Sequence, residues 1–195
     1  MTMRLLRRTA FVVAATAALL TPSLVPGTTV EPVTFDMLVR DADRIIVGTV
    51  AGVESFRADL DGNLRIRTRV IFGVGEALRG RGALIVLEFL GGTVGDVTLT
   101  VAGMPHFAIG ERYVVFAREG DRWVNPVVGF TQGLLRVSRD ARTGTSLVLT
   151  SGGAPLTDVA SIGRPRSAVS TRISIPMSLT SFLDTVRMEI ARQAQ

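Results

Sequence analysis

A two-residue alternation of apolar and charged positions marks residues 64–78 more clearly than any other part of the chain. The charged positions are Arg65, Arg67 and Arg69, and the apolar positions are Leu64, Ile66, Val70, Phe72 and Val74. Successive side chains of a strand point to opposite faces, so this pattern predicts a β-strand with one buried face. Gly73 and Gly75 predict a β-bulge or a sharp bend in that strand.

Short apolar runs separated by Gly, Pro, Asp and Asn predict further strands along the chain. They cover residues 44–56, 83–89, 97–102, 112–117, 123–128, 133–137 and 146–149. Short strands at roughly even spacing are typical of an antiparallel barrel or sandwich. We therefore predict a mainly β fold, a small antiparallel barrel that spans residues 34–150.

Two helices are predicted at the ends of this domain. Thr34 is a suitable N-cap for a short N-terminal helix over residues 35–42. Near the C-terminus, residues 178–193 carry apolar side chains at helical spacing, which predicts an amphipathic helix. We expect this helix to dock on the barrel rather than to capture a separate partner. Residues 151–177, rich in Ser, Pro and Arg, have no periodicity and are predicted to be a linker or a loosely docked segment.

Residues 1–27 have the three parts of a secretory signal peptide. Three Arg residues precede an apolar run of 12 residues, 9–20, and a polar stretch broken by proline follows it. The run is too short for a transmembrane helix, which needs about 20 residues. The sequence therefore predicts export to the periplasm or the outside of the cell, contact with the membrane only during export, and cleavage near Gly27. The Sec route is favoured, and a twin-arginine signal at Arg7 and Arg8 is the alternative.

Composition changes this picture in two ways. The chain has 22 basic residues, all of them Arg, and a net charge of +5. Removal of the signal peptide would take three of those Arg residues and no acidic residue, which leaves a nearly balanced domain at +2. With no Cys, an exported chain has no disulfides, and thiolate chemistry and Cys-ligated metals are excluded.

Catalytic groups are few. The single His, His106, lies directly after a proline in the stretch GMPHFAIGE, and no G-x-S-x-G motif accompanies it. The acidic stretch DLDGN at 59–63 is too short for an EF-hand and reads as a hairpin turn, and a chain without Lys has no P-loop. We predict no catalytic residue, metal site or cofactor, and a chain that is not an enzyme. A hydrolase that uses two carboxylates remains an alternative, because two such acids need only meet in space.

Arg65, Arg67 and Arg69 are the candidate binding residues, because alternate residues of a strand project from one face. Such a row of cations would suit an anionic polymer or a polysaccharide. A solvated outer face is the alternative that we favour. Nucleic acid is not an expected partner, for two reasons. The chain has one Trp, one Tyr and nine Phe on which bases could stack, and it is predicted to be exported.

The order of several motifs resembles a group of uncharacterised exported bacterial β-barrel domains. They are DADRIIVGTV, TRVIFGVGEALRG, GGTVG, VAGMPHFAIGERYVVFA and VVGFTQGLLRV, within residues 34–137. The characteristic positions are Arg79-Gly80, Gly91-Gly92, the G-x-P-x-F-x-x-G-E loop from Gly103 to Glu111, and Gln132-Gly133. The resemblance implies a barrel similar to the OB-like fold of netrin and tissue-inhibitor-of-metalloproteinase modules. Those inhibitors chelate zinc through an N-terminal Cys, which this chain lacks, so that mechanism does not carry over.

We therefore expect an exported, non-catalytic binding or accessory module that engages an envelope or secreted protein.

Overall fold

The computed structural model describes residues 31–60, 62–120, 124–163 and 175–195. The predicted signal peptide, residues 1–27, lies outside the described residues. These residues include eight strands: β1 (Arg44–Leu60), β2 (Asn63–Arg79), β3 (Leu84–Leu90), β4 (Gly92–Val94), β5 (Val97–Leu99), β6 (Arg112–Ala117), β7 (Leu134–Arg139) and β8 (Ser146–Leu149). The helices are α1 (Phe35–Asp41), a short 3-10 helix (Val159–Ser161) and α2 (Leu179–Gln193).

Six strands form one antiparallel sheet in the order β3-β2-β1-β6-β7-β8, and β4 and β5 form a separate hairpin. This confirms the predicted mainly β class with a short N-terminal helix and a C-terminal helix. The sheet is not a closed barrel, because β3 and β8 stand at opposite ends of the order and do not pair. Instead, the chain after β6 turns back and approaches β3.

Bulges bend the long β1–β2 hairpin. The register shifts between Val47 and Gly48, where Gly75 is the additional residue on β2, and again between Val50 and Gly52. The bulge or bend predicted from Gly73 and Gly75 is therefore confirmed at Gly75, whereas Gly73 stays in register opposite Thr49. An extra residue on one strand increases the local twist, and a strongly twisted sheet curls. This curl brings the β3 end of the sheet round toward the chain that follows β6.

One face of the sheet packs against the helices. Leu38 and Val39 of α1 and Phe182 and Val186 of α2 are fully buried in this core. The ring of Phe182 meets the ring of Phe116 of β6 edge-on, at 6.4 Å between centroids. The predicted docking of the C-terminal helix on the β domain is confirmed, and Ser178 caps it by accepting a hydrogen bond from the N–H of Ser181.

The concave face of the curled sheet encloses a second core. It contains Val70 and Phe72 of β2, Leu87 of β3 and Val115 of β6, all buried. The loop after β5 covers this core, with Phe107 packed against it. The two cores therefore lie on opposite faces of a single sheet.

Two expectations about the connecting segments are wrong. Part of the predicted 151–177 linker belongs to the domain, because Leu156 and Ile162 are buried in the helix-side core and Pro155 forms a bridge with Leu149 of β8. The predicted strand at 123–128 is absent over residues 124–128, which form only an isolated bridge between Val127 and Ala117. Pro126 has no N–H to donate to a ladder, which explains the interruption.

Candidate binding groove

The two edges of the six-stranded sheet differ in how their backbone groups are satisfied. At β8, the N–H of Val148 donates to Met177 and its carbonyl accepts from Leu156. At β3, the N–H of Leu90 donates to the carbonyl of Val124 at 2.9 Å, and the carbonyl of Glu88 accepts from the side chain of Arg67 at 3.2 Å. One edge is therefore covered by backbone of the chain itself, whereas the described residues satisfy the other edge near Leu90 and leave it open at residues 84 and 86.

A cavity of about 390 Å³ lies along the open part of this edge. Residues 85–88 of β3 form one side of it, and residues 118–120 together with Pro126 form the other side. We call this cavity the β3 groove. It occupies the position where a closed barrel would have its next strand, between β3 and the chain that follows β6.

The register of β3 shows which backbone groups face the β3 groove. Ala83 and Gly91 bond to β2, through Val74 and Ile66 respectively. Because backbone groups of successive strand residues point to opposite edges, the groups of residues 84, 86 and 88 point away from β2. Leu90 follows this rule, since its N–H reaches Val124 across the gap.

Apolar side chains flank this open backbone. Leu84 is 63% exposed and Val86 is 49% exposed, both on the outer face of the sheet. On the inner face, Ile85 and Leu87 are buried in the concave core. Natural sheets usually protect an edge with charges, proline or a covering loop, because an open apolar edge pairs readily with another chain.

The charges at the β3 groove balance. Arg44 pairs with Glu119 at 2.6 Å, and Arg118 lies 3.7 Å from Asp41. Glu88 accepts from Arg69 at 2.9 Å. Among the lining residues that the structure describes, two are cations, Arg44 and Arg118, and two are anions, Glu88 and Glu119, so this part of the wall does not select a strongly charged ligand.

The predicted row of Arg65, Arg67 and Arg69 does not form an accessible track. Arg65 is exposed, but Arg67 is only 4% exposed and donates to the carbonyl of Glu88 at 3.2 Å. Arg69 pairs with the carboxylate of Glu88 and lies over the ring of Phe56, 4.5 Å from its centroid. The prediction of a solvated face is wrong for Arg67, because β3 supplies a carboxylate and a carbonyl beside it.

The other candidate chemistry is dispersed. His106 is exposed in the loop after β5. In the part of the chain that the structure describes, no three His, Asp or Glu side chains are placed to hold a metal ion. Glu111 is the one carboxylate of the loop motif; it accepts from Tyr113, and that bond holds the pKa of Glu111 below its usual range. An acid that stays ionised at neutral pH is unsuited to donate a proton.

The motif residues of the sequence resemblance have structural roles. Phe107 of the G-x-P-x-F-x-x-G-E loop packs its ring on Phe89, at 5.0 Å between centroids. The side chain of Gln132 accepts from the N–H of Val33 and donates to the carbonyl of Gly129, so it ties the entry of α1 to the turn before β7. Gly92 lies so close to Ser55 that any side chain would collide with it.

Residues 84 and 86 were not singled out from the sequence. Apart from Glu88, the run LIVLEFL of β3 is apolar at both sets of alternate positions, which is the signal that both faces of this strand carry apolar side chains. The sequence alone does not show whether a second layer covers the outer face.

No helix among the described residues is long and apolar enough to cross a membrane. Comparison of the chain with protein-family models, curated proteins and solved structures gave no match.

Proposed function

We propose that this chain is an exported, non-catalytic binding module that engages another envelope or secreted protein. The observation that carries the proposal is the β3 groove, a half-open cavity beside an open strand edge with exposed apolar side chains at Leu84 and Val86. Contiguous exposed apolar surface of this kind marks interaction sites in soluble domains.

The experiment that tests this proposal is site-specific photocrosslinking in the cell of origin. A benzophenone side chain is placed at Val86, inside the β3 groove, and at Val97 of β5 as the matched control, since both valines are about half exposed. We expect a discrete crosslinked product with an envelope or secreted protein from position 86 and none from position 97. Equal crosslinking from both positions, or none from either, would contradict the proposal.

Export and the absence of catalysis are tested separately. The mass of the mature protein recovered from the periplasm or the medium is expected to correspond to cleavage near Gly27. An intact chain that stays inside the cell would refute the exported part of the proposal. Turnover in a broad hydrolase screen that is lost in His106→Ala would refute the non-catalytic part.

A further inference from the structure

The shape of the β3 groove indicates which form of a partner protein can bind there. It is bounded on one side by the open edge of β3 and on the other by residues 118–120 and Pro126. The hydrogen bond from Leu90 to Val124 ties these two sides together at one end, and the bridge between Ala117 and Val127 holds the second side to β6. The gap therefore presents one open strand edge, with which a single extended segment can pair.

We propose that the β3 groove accepts one extended segment of a partner protein, which pairs with the open edge of β3. This inference rests on the proposed function and names the mode of binding and the chemistry of the bound segment. Addition of a strand to an open edge is an established way of recognising peptides, with affinity from the backbone and specificity from alternate side chains. The backbone groups of Leu84 and Val86 supply the pairing chemistry.

The two faces of β3 determine the sequence pattern of the guest strand. Its inward side chains lie beside Ile85 and Leu87, which belong to the concave core, and must be apolar. Its outward side chains lie beside Val86 and Glu88, near solvent, and are free to be polar. Since side chains of a strand alternate between faces, the guest has apolar residues at every second position.

The charges exclude a strongly acidic or basic guest. Arg44 with Glu119, and Arg69 with Glu88, are ion pairs on the wall of the groove or at its rim. A guest segment with several charges of one sign would lie beside one side chain of like charge for each side chain of opposite charge. The occupant is therefore a nearly neutral, amphipathic extended segment.

A second copy of this chain fits the groove less well. Pairing of two β3 edges would bring the wall at residues 118–120 of each copy against the other sheet. The segment that enters the groove must not already be paired with another strand on its opposite edge. An unpaired terminus or loop of a partner protein meets this condition. A dimer held through β3 remains a distinguishable outcome, because it would change the mass of the free protein in solution.

The test uses the purified mature chain and the peptide acetyl-Lys-Val-Thr-Val-Thr-Val-Glu-amide, which is neutral overall and apolar at alternate positions. Backbone N–H groups of alternate residues face opposite edges of a strand. Two further peptides therefore carry N-methyl groups either on every Val or on every Thr. We expect one methylated form to bind like the parent and the other to lose binding, and the form that fails reveals whether the guest runs parallel or antiparallel to β3. Binding of both forms, or of neither, would overturn strand addition.

Two variants of the protein locate the binding. Val86→Pro removes an N–H that points into the groove rather than toward β2, so the sheet keeps its ladder. We expect this variant to bind the parent peptide about two- to tenfold more weakly, as the loss of one backbone hydrogen bond requires. Val86→Thr keeps the N–H and the β-branched shape and is the matched control, with unchanged binding. Amide exchange at residues 84 and 86 is expected to slow when the peptide is added.

The outcomes separate this inference from the proposed function. If position 86 crosslinks a partner in cells while the peptides leave the amides of residues 84 and 86 unprotected, the binding module stands and strand addition is wrong. If the peptides bind as expected and no partner crosslinks, the groove accepts a strand and the proposed role in the envelope is wrong. A dimeric free protein that becomes monomeric in Val86→Pro would assign the edge to self-association and overturn the partner segment.

Discussion

The hydroxyl of Tyr113 donates a hydrogen bond of 2.6 Å to the carboxylate of Glu111. The same carboxylate accepts from the N–H of Ala108 at 3.1 Å and pairs with Arg136 at 3.3 Å. These contacts, with Tyr113 foremost, hold the pKa of Glu111 below its usual range, while burial and the carboxylate raise the pKa of Tyr113. The pair thus fastens the covering loop to β6 with an ionised acceptor and a neutral donor.

Removal of the Tyr113 hydroxyl is predicted to destabilise the fold moderately. Tyr113→Phe keeps the ring, which packs against Phe107 at 5.7 Å, and deletes one hydrogen bond to a charged group. We expect the free energy of unfolding to fall by about 1–2 kcal/mol, measured by urea denaturation at neutral pH. Unchanged stability would show that solvent replaces the bond without cost.

The lowered pKa of Glu111 predicts a dependence of stability on pH. A carboxyl group whose folded-state pKa lies below its unfolded value of 4.5 stabilises the protein above that pH, and the contribution is lost as the pH falls through the folded-state pKa. We therefore expect the stability difference between the wild type and Glu111→Gln to shrink from about pH 7 to about pH 3. A difference that stays constant over this range would contradict the prediction.

Phe107 is predicted to be the main anchor of the loop after β5. Its ring contacts the rings of Phe72, Phe89 and Tyr113 at 5.0–5.8 Å between centroids. Phe107→Ala is expected to cost about 2–4 kcal/mol of unfolding free energy, because it empties part of the concave core. Ile109→Ala, at a side chain of the same loop that is 70% exposed, is the control and is expected to stay within about 0.5 kcal/mol of the wild type. Equal effects of the two substitutions would refute an anchoring role.

The β4–β5 hairpin offers a matched pair of glycines. Both Gly92 and Gly95 have positive φ angles, but a Cβ at Gly92 would lie 2.3 Å from the Oγ1 of Thr68, whereas a Cβ at Gly95 meets nothing within 4 Å. Gly95→Ala is expected to cost about 1–2 kcal/mol, from the left-handed backbone alone. Gly92→Ala is expected to cost clearly more in the same thermal or urea unfolding experiment. Similar costs would show that the hairpin shifts away from Ser55 and Thr68 easily.

Local patterns predicted the elements that depend on local chemistry. The strands at 112–117 and 146–149 agree with β6 and β8, and Gly75 lies at a bulge as its position in an alternating strand predicted. The end of α1 is within one residue of its prediction and α2 begins one residue after Ser178, its cap. These features follow from periodicity, capping and glycine, which act over a few residues.

Features that depend on distant contacts were not predictable in the same way. Leu156 lies in a stretch without periodicity, yet it is buried because residues 154–156 add to the edge of β8. The β3 groove exists because the chain after β6 returns to β3 at Leu90. The alternation of apolar and polar residues along a strand indicates on which face of the sheet a side chain lies. It contains no information about what covers that face.

Arg67 tests the difference between what the local sequence pattern determines and what distant contacts determine. Arg65 and Arg67 occupy equivalent positions in the sequence pattern, but Arg67 is buried, donates to the carbonyl of Glu88 and lies 3.6 Å from its carboxylate. Arg67→Ala is expected to lower the unfolding free energy by about 2–3 kcal/mol, because it leaves a cavity and removes a partner of a partly buried carboxylate. Arg65→Ala, at the exposed position, is expected to change it by less than about 0.5 kcal/mol. If instead both variants keep full stability and lose affinity for heparin to the same extent, the arginines form a polyanion track and not a structural contact.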